Sequence, residues 1–158
     1  MHAYSLREVV ELGIQIEKNG YAYYTALADK VTDERLKSLI LFLAGEEAQH
    51  IVAFENIRDQ VEQFEQDEEY PSEYFSYLNR LASEHVFIKR DGNECALHAE
   101  SPLAMLSCAL EFENDSIAIY KEMKKLVPAG SETAVDVMIQ EEEKHVAKIT
   151  ELMGIYGE

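Results

Sequence analysis

The 158 residues contain no tryptophan, three prolines and two cysteines. With so little proline, long stretches run without the residue that most readily breaks helices, and strand-type alternation is missing as well. The chain therefore reads as all-α. Cys95 and Cys108 are not in a CxxC spacing, which excludes a disulfide framework and a rubredoxin-type or zinc-ribbon site. No apolar run approaches the length of a membrane span. The start, "MHAYSLREVVELG", lacks a basic segment leading into an apolar one, so no signal peptide is expected. The expectation is a cytoplasmic protein with two reduced thiols. Positive charge is also scarce: 14 Lys and Arg stand against 31 Asp and Glu, for a net charge of -17. Nucleic acid and anionic membrane both require a basic footprint, so neither is expected as a partner.

What is present is a regular apolar spacing in four long segments, too ordered for an acidic disordered chain. It predicts helices over about 6–29, 33–66, 102–127 and 132–153, in one domain spanning 1–158. Ser5 opens a capping box, Thr32 or Asp33 caps the second helix, and Ser101-Pro102 is a cap followed by proline at the first helical position. Ser131 is the expected cap of the fourth. The links between helices one and two, and three and four, are short, so each pair should form an antiparallel hairpin. Residues 67–101 are too long for a simple loop and read as a crossover carrying a short helix near 72–86.

The two hairpins repeat each other. "IEKNGYAYY" in helix one matches "FENDSIAIY" in helix three, which pairs Glu17 with Glu113 and Tyr24 with Tyr120 at an offset of 96. "GEEAQHI" in helix two matches "EEEKHV" in helix four, which pairs Glu47 with Glu142 and His50 with His145 at an offset of 95. Each of these residues interrupts an apolar stripe. In helix two the stripe is Leu36, Ile40, Leu43, Glu47, His50, Phe54, Ile57 and Val61. In helix four it is Val135, Met138, Glu142, His145, Ile149 and Leu152. Helix one places Glu17 between Gly13 and Gly20, and helix three places Glu113 between Ala109 and Ser116, small neighbours expected to leave room for a cluster.

A glutamate on a solvated face belongs among polar neighbours, and these four sit among core positions. Four ionised carboxylates gathered in a core repel one another and lose their hydration. Protons could neutralise them, and two divalent cations would do so in full, +4 against -4. In both Glu-x-x-His pairs the two side chains leave one helix face. Tyr24 and Tyr120 lie two turns beyond Glu17 and Glu113. They either pack as plain aromatics or donate their hydroxyls to ligand carboxylates. Glu46, Glu141 and Glu143 fall off the stripe and are expected in solvent. Cys95-x-x-His98 has no second half nearby and is expected to be ordinary loop. Tyr21, Tyr23, Tyr70, Tyr74 and Tyr77 are expected to pack the crossover or line a dimer contact.

One Glu from each of two helices with Glu-x-x-His from each of two others resembles the ferritin-like di-metal carboxylate pattern. The repeated "E-x6-Y … EExxH" pair looks most like the rubrerythrin-type branch, here without its rubredoxin domain. The resemblance implies a ferritin-like four-helix bundle holding two iron ions, with manganese or zinc possible on the same atoms. It also implies Glu47 and Glu142 as bridging ligands, Glu17 and Glu113 as terminal ligands, and one metal each for His50 and His145. Redox chemistry on peroxide or dioxygen would then draw electrons from a separate donor such as a rubredoxin, in a homodimer. The sequence departs from rubrerythrins at Glu-x-x-Glu in helix three: Glu111 is followed by Asn114, and Glu113 by Ser116. Iron handling and a metal-bound bundle without turnover stand as the other readings.

Overall fold

A computed structural model describes residues 6–64, 92–127 and 129–157. These form α1 (Leu6–Lys30), α2 (Glu34–Phe64), α3 (Gly92–His98), α4 (Pro102–Met123) and α5 (Glu132–Tyr156), with no strand among the described residues. Asp33 rather than Thr32 caps α2, its Oδ1 accepting from Leu36 N at 2.8 Å. Ser101 caps α4 through Ala104 N at 3.1 Å, with Pro102 in the first turn. Both satisfy backbone donors that a helix start leaves without intrahelical partners.

Four expectations need correction. Ser131 occupies the cap position of α5 but makes no capping hydrogen bond; its Oγ donates to Gln60 Oε1 of α2 at 2.9 Å. α4 gives way at Met123 to a tight turn, in which Leu126 N donates to Met123 O, before Gly130 reverses the chain at φ 99°. That left-handed conformation suits glycine. α5 continues through the exposed Gly154 to Tyr156, and Gly157 N donates to Met153 O at 2.9 Å at its end. Cys95 and His98 lie in a helix, α3, where a loop was expected. The short helix expected near 72–86, with Ser5, Tyr70, Tyr74 and Tyr77, lies outside the described residues.

α1 and α2 form one hairpin, α4 and α5 the other, and contacts within hairpins are far more extensive than those between them. The predicted stripes turn inward. Leu36, Ile40, Leu43, Phe54 and Ile57 of α2 are buried, as are Val135, Met138, Ile149 and Leu152 of α5. None of the described helices is long and apolar enough to cross a membrane.

The two glycines of α1 serve a different purpose from the one expected. A Cβ at Gly13 would come within 3.1 Å of Phe54 and of Met123, and one at Gly20 would collide with the Phe112 ring. They admit the aromatic rings of α2 and α4, not the polar cluster. Phe112 in turn packs edge-on against Tyr24 at 6.1 Å, and Phe54 against Tyr120 at 5.1 Å. Gly45, by contrast, faces open space on α2. Gly20→Ala should therefore destabilise the fold by about 1–3 kcal/mol through overpacking. Gly45→Ala should stabilise it by about 0.5–1 kcal/mol by reducing unfolded-state freedom. Urea unfolding of the two variants checks the opposite signs.

Candidate metal centre

Each helix of the two hairpins brings its polar residues to the same level of the bundle. Glu17, Glu47, Glu113 and Glu142 have no exposed surface, and His50 and His145 are almost fully buried. Two four-residue groups result. Glu17, Glu47, His50 and Glu142 offer one donor atom each within 4.8 Å of one another, and so do Glu47, Glu113, Glu142 and His145. Glu47 and Glu142 belong to both. All six sequence-predicted ligand positions thus converge, and one chain supplies them all.

The imidazoles enter in the same way. His50 Nδ1 lies 2.8 Å from Glu142 Oε1 and 3.5 Å from Glu17 Oε2. His145 Nδ1 lies 2.9 Å from Glu142 Oε2 and 3.5 Å from Glu113 Oε1. The two rings are nearly parallel, with centroids 6.1 Å apart and planes 22° from each other.

Support for the cluster crosses from one hairpin to the other. Tyr24 of α1 donates its hydroxyl to Glu113 Oε1 of α4 at 2.6 Å, and Tyr120 of α4 donates to Glu17 Oε1 of α1. Of the two roles open to these tyrosines, the structure places them as donors. Burial first, and the neighbouring carboxylates next, raise both phenols well above their ordinary range, so they keep their protons.

Glu46 and Glu141 are where the sequence reading fails. Glu141 Oε2 accepts from His50 Nε2 at 2.7 Å, and Glu46 Oε2 lies 3.7 Å from His145 Nε2. They are 33% and 20% exposed, while Glu143 is 53% exposed and faces Lys121, in solvent as expected. The leading glutamate of each EExxH thus addresses the histidine of the other helix. The signal was present in the sequence: a Glu-Glu pair, not a single Glu, repeats at the offset of 95. A carboxylate behind an imidazole orients the ring and fixes which nitrogen faces a metal.

Protons are one source of countercharge for the cluster. Burial, then the other carboxylates, raise Glu47 and Glu113 well above the carboxylate range. Burial opposes ionisation of Glu142 too, but hydrogen bonds with Glu113, His145 and His50 outweigh it and hold this carboxyl low. For the imidazoles, burial works against the cation and the surrounding carboxylates win, lifting His145 to about 10 and His50 further. Glu17 Oε2, Glu113 Oε2 and both oxygens of Glu47 are buried without a hydrogen-bond partner. Leaving such atoms unmet is costly, and divalent cations would meet them. A donor set of carboxylates and imidazoles without thiolate suits iron or manganese. The residues present fit a metal pair.

The Rubrerythrin family model matches residues 8–94, more than half of the chain. The chain belongs to the rubrerythrin family. No curated protein and no solved structure matches it. The family match contains Glu17, Glu47 and His50, whereas Glu113, Glu142 and His145 join them through the internal repeat and the geometry above.

The two halves of the cluster differ at the rim. Phe42 of α2 lies edge-on to His145 at 6.0 Å, with Lys148 Nζ 3.9 Å over its ring, and the repeat-equivalent residue on α5 is the exposed Val137. Cys95-x-x-His98 joins no metal-type group among the described residues.

Glu141→Gln should weaken metal binding about 10–100-fold, and Glu46→Gln less because its contact is longer, with Glu143→Gln unchanged. Competition titration against a chelator measures all three. Since Glu47, Glu113 and His145 hold protons above their ordinary pKa values, metal must displace protons to bind. Affinity should therefore rise with pH between about 6 and about 8, with proton release seen by an indicator dye. An affinity flat across that range would contradict the proton inventory.

Proposed function

We propose that this protein is a non-haem di-iron redox protein acting on hydrogen peroxide or dioxygen, with electrons from a separate donor protein such as a rubredoxin. The observation that carries the reading is the pair of buried four-residue groups sharing Glu47 and Glu142. Glu17 and His50 would complete one metal site, Glu113 and His145 the other, with Glu47 and Glu142 common to both. Iron held there would alternate between ferrous and ferric and so supply the electrons that peroxide or dioxygen takes up. Two imidazoles and four carboxylates shared between two metals would leave room for a small oxidant to bind, which a purely structural site would not.

The chain's own residues would serve such chemistry in three ways. The crossed Tyr24–Glu113 and Tyr120–Glu17 hydrogen bonds hold the terminal carboxylates in place. Glu141 accepts from His50 Nε2 and so steadies that imidazole, while Glu46 faces His145 Nε2 from farther away. The aromatic packing of Phe54 on Tyr120 and Phe112 on Tyr24 excludes bulk water from beneath the cluster.

One observation favours iron handling as the second reading. One turn beyond Glu113, where rubrerythrins carry a further carboxylate, stands the buried Ser116. The cluster thus has one ligand fewer for peroxide reduction.

Stopped-flow absorbance on the ferrous-loaded protein distinguishes the two. Rapid oxidation by peroxide, repeated over many cycles with a reductant, is expected. Iron uptake far beyond two ions per chain would indicate storage, and an absence of optical change would contradict both. Glu47→Ala/Glu142→Ala should abolish metal binding and oxidation together.

A further inference from the structure

A third metal-type group lies outside the two buried ones. Glu46, His50 and Glu141 offer one donor atom each within 4.8 Å of one another. Glu46 and His50 are four residues apart on α2 and so share a helix face, and Glu141 reaches across from α5. His50 Nδ1 is turned inward, 2.8 Å from Glu142 Oε1, which leaves Nε2 to the outer group, 2.7 Å from Glu141 Oε2. The ring therefore stands between the buried cluster and the rim. His50 is 2% exposed, whereas Glu46 and Glu141 are 20% and 33% exposed, so an ion arriving from solvent meets the two carboxylates first.

Charge points the same way. Among the described residues, Glu46 and Glu141 each face a histidine and neither has a Lys or Arg within ion-pair distance. Glu143, two residues along α5, is paired with Lys121 at 3.7 Å. On a chain of net charge -17, two carboxylates thus converge on an imidazole nitrogen with no fixed cation beside them. His145 closes no such group with these carboxylates among the described residues: Glu46 is 3.7 Å from its Nε2, and Phe42 stands edge-on to the ring.

We propose that Glu46, Glu141 and His50 Nε2 form an outer site for a divalent transition cation, where an ion is captured before it passes to the buried centre. This role rests on the reading that the buried groups hold metal. Two carboxylate oxygens and one imidazole nitrogen, without thiolate, suit the same ions as the centre, ferrous iron and manganese among them. With three protein donors the remaining coordination falls to water, so the ion is held less firmly than inside and can move on. A neutral imidazole has one nitrogen lone pair to give, so His50 serves the outer site or the inner one, not both at once. The outer site therefore fills while the centre is empty. Once an inner ion is seated on Nδ1, Nε2 carries a proton toward Glu141, and the loaded chain holds two ions rather than three.

Anaerobic stopped-flow absorbance with cobalt(II), whose bound form absorbs in the visible, tests the site in the full-length protein. In the wild type the loading rate should level off as cobalt(II) is raised, the mark of a capture step ahead of the buried centre. Glu46→Gln should slow loading by about tenfold. Release into excess chelator should slow by a similar factor, because a transit site serves both directions, and the equilibrium affinity should change much less. Glu143→Gln removes an equal charge close by and should load at the wild-type rate. If Glu46 only orients an imidazole, the split is reversed, with loading unchanged and release faster. That result, a wild-type rate that never levels off, or an equal slowing in Glu143→Gln would overturn the outer site and leave the buried centre standing. Absence of cobalt(II) uptake by the wild type would contradict the centre itself, and the outer site with it.

Discussion

Four carboxylates packed around two imidazoles in a dry interior must be met by positive charge, and the arrangement of both hairpins follows from that demand. Without metal, protons on the imidazoles and on Glu47 and Glu113 provide it. A metal bound there would take the same oxygens as ligands and displace the protons. Either way the cluster does what apolar packing between the hairpins does less of: it joins them. The Tyr24–Glu113, Tyr120–Glu17 and His50–Glu141 hydrogen bonds all run from one hairpin to the other. A cation bound only by the folded form would add its binding free energy to stability.

The pseudo-twofold repeat gives two similar half-sites but not identical ones. His50 is held at 2.7 Å by Glu141, whereas His145 stands 3.7 Å from Glu46 and is flanked by Phe42. The half-sites consequently differ in how firmly the imidazole is oriented and in what covers it.

Much of this was legible in the sequence because helical periodicity is a direct record of burial. Every predicted stripe residue whose burial is described lies inside, and the six ligand-type residues meet. Glu46 and Glu141 escaped because a helix's own pattern says only that they leave its core stripe. That they reach a histidine on another helix depends on how the helices cross. α3 escaped because seven residues give too few turns for a period to register. Gly13 and Gly20 were rightly placed on the buried face, but which rings fill the space above them is a property of the neighbouring helices. Ser131 has the right residue type at a helix start, and tertiary contact with Gln60 took its hydroxyl instead.

The central claim is that the buried groups of Glu17, Glu47, His50 and Glu142, and of Glu47, Glu113, Glu142 and His145, each hold a metal. Metal analysis of natively purified protein, with quantitation of the chain, tests it most directly. About two ions per chain, predominantly iron, is the predicted result. Less than one ion per chain, with no uptake from added ferrous iron, would contradict it and leave protons as the cluster's only counter-charge.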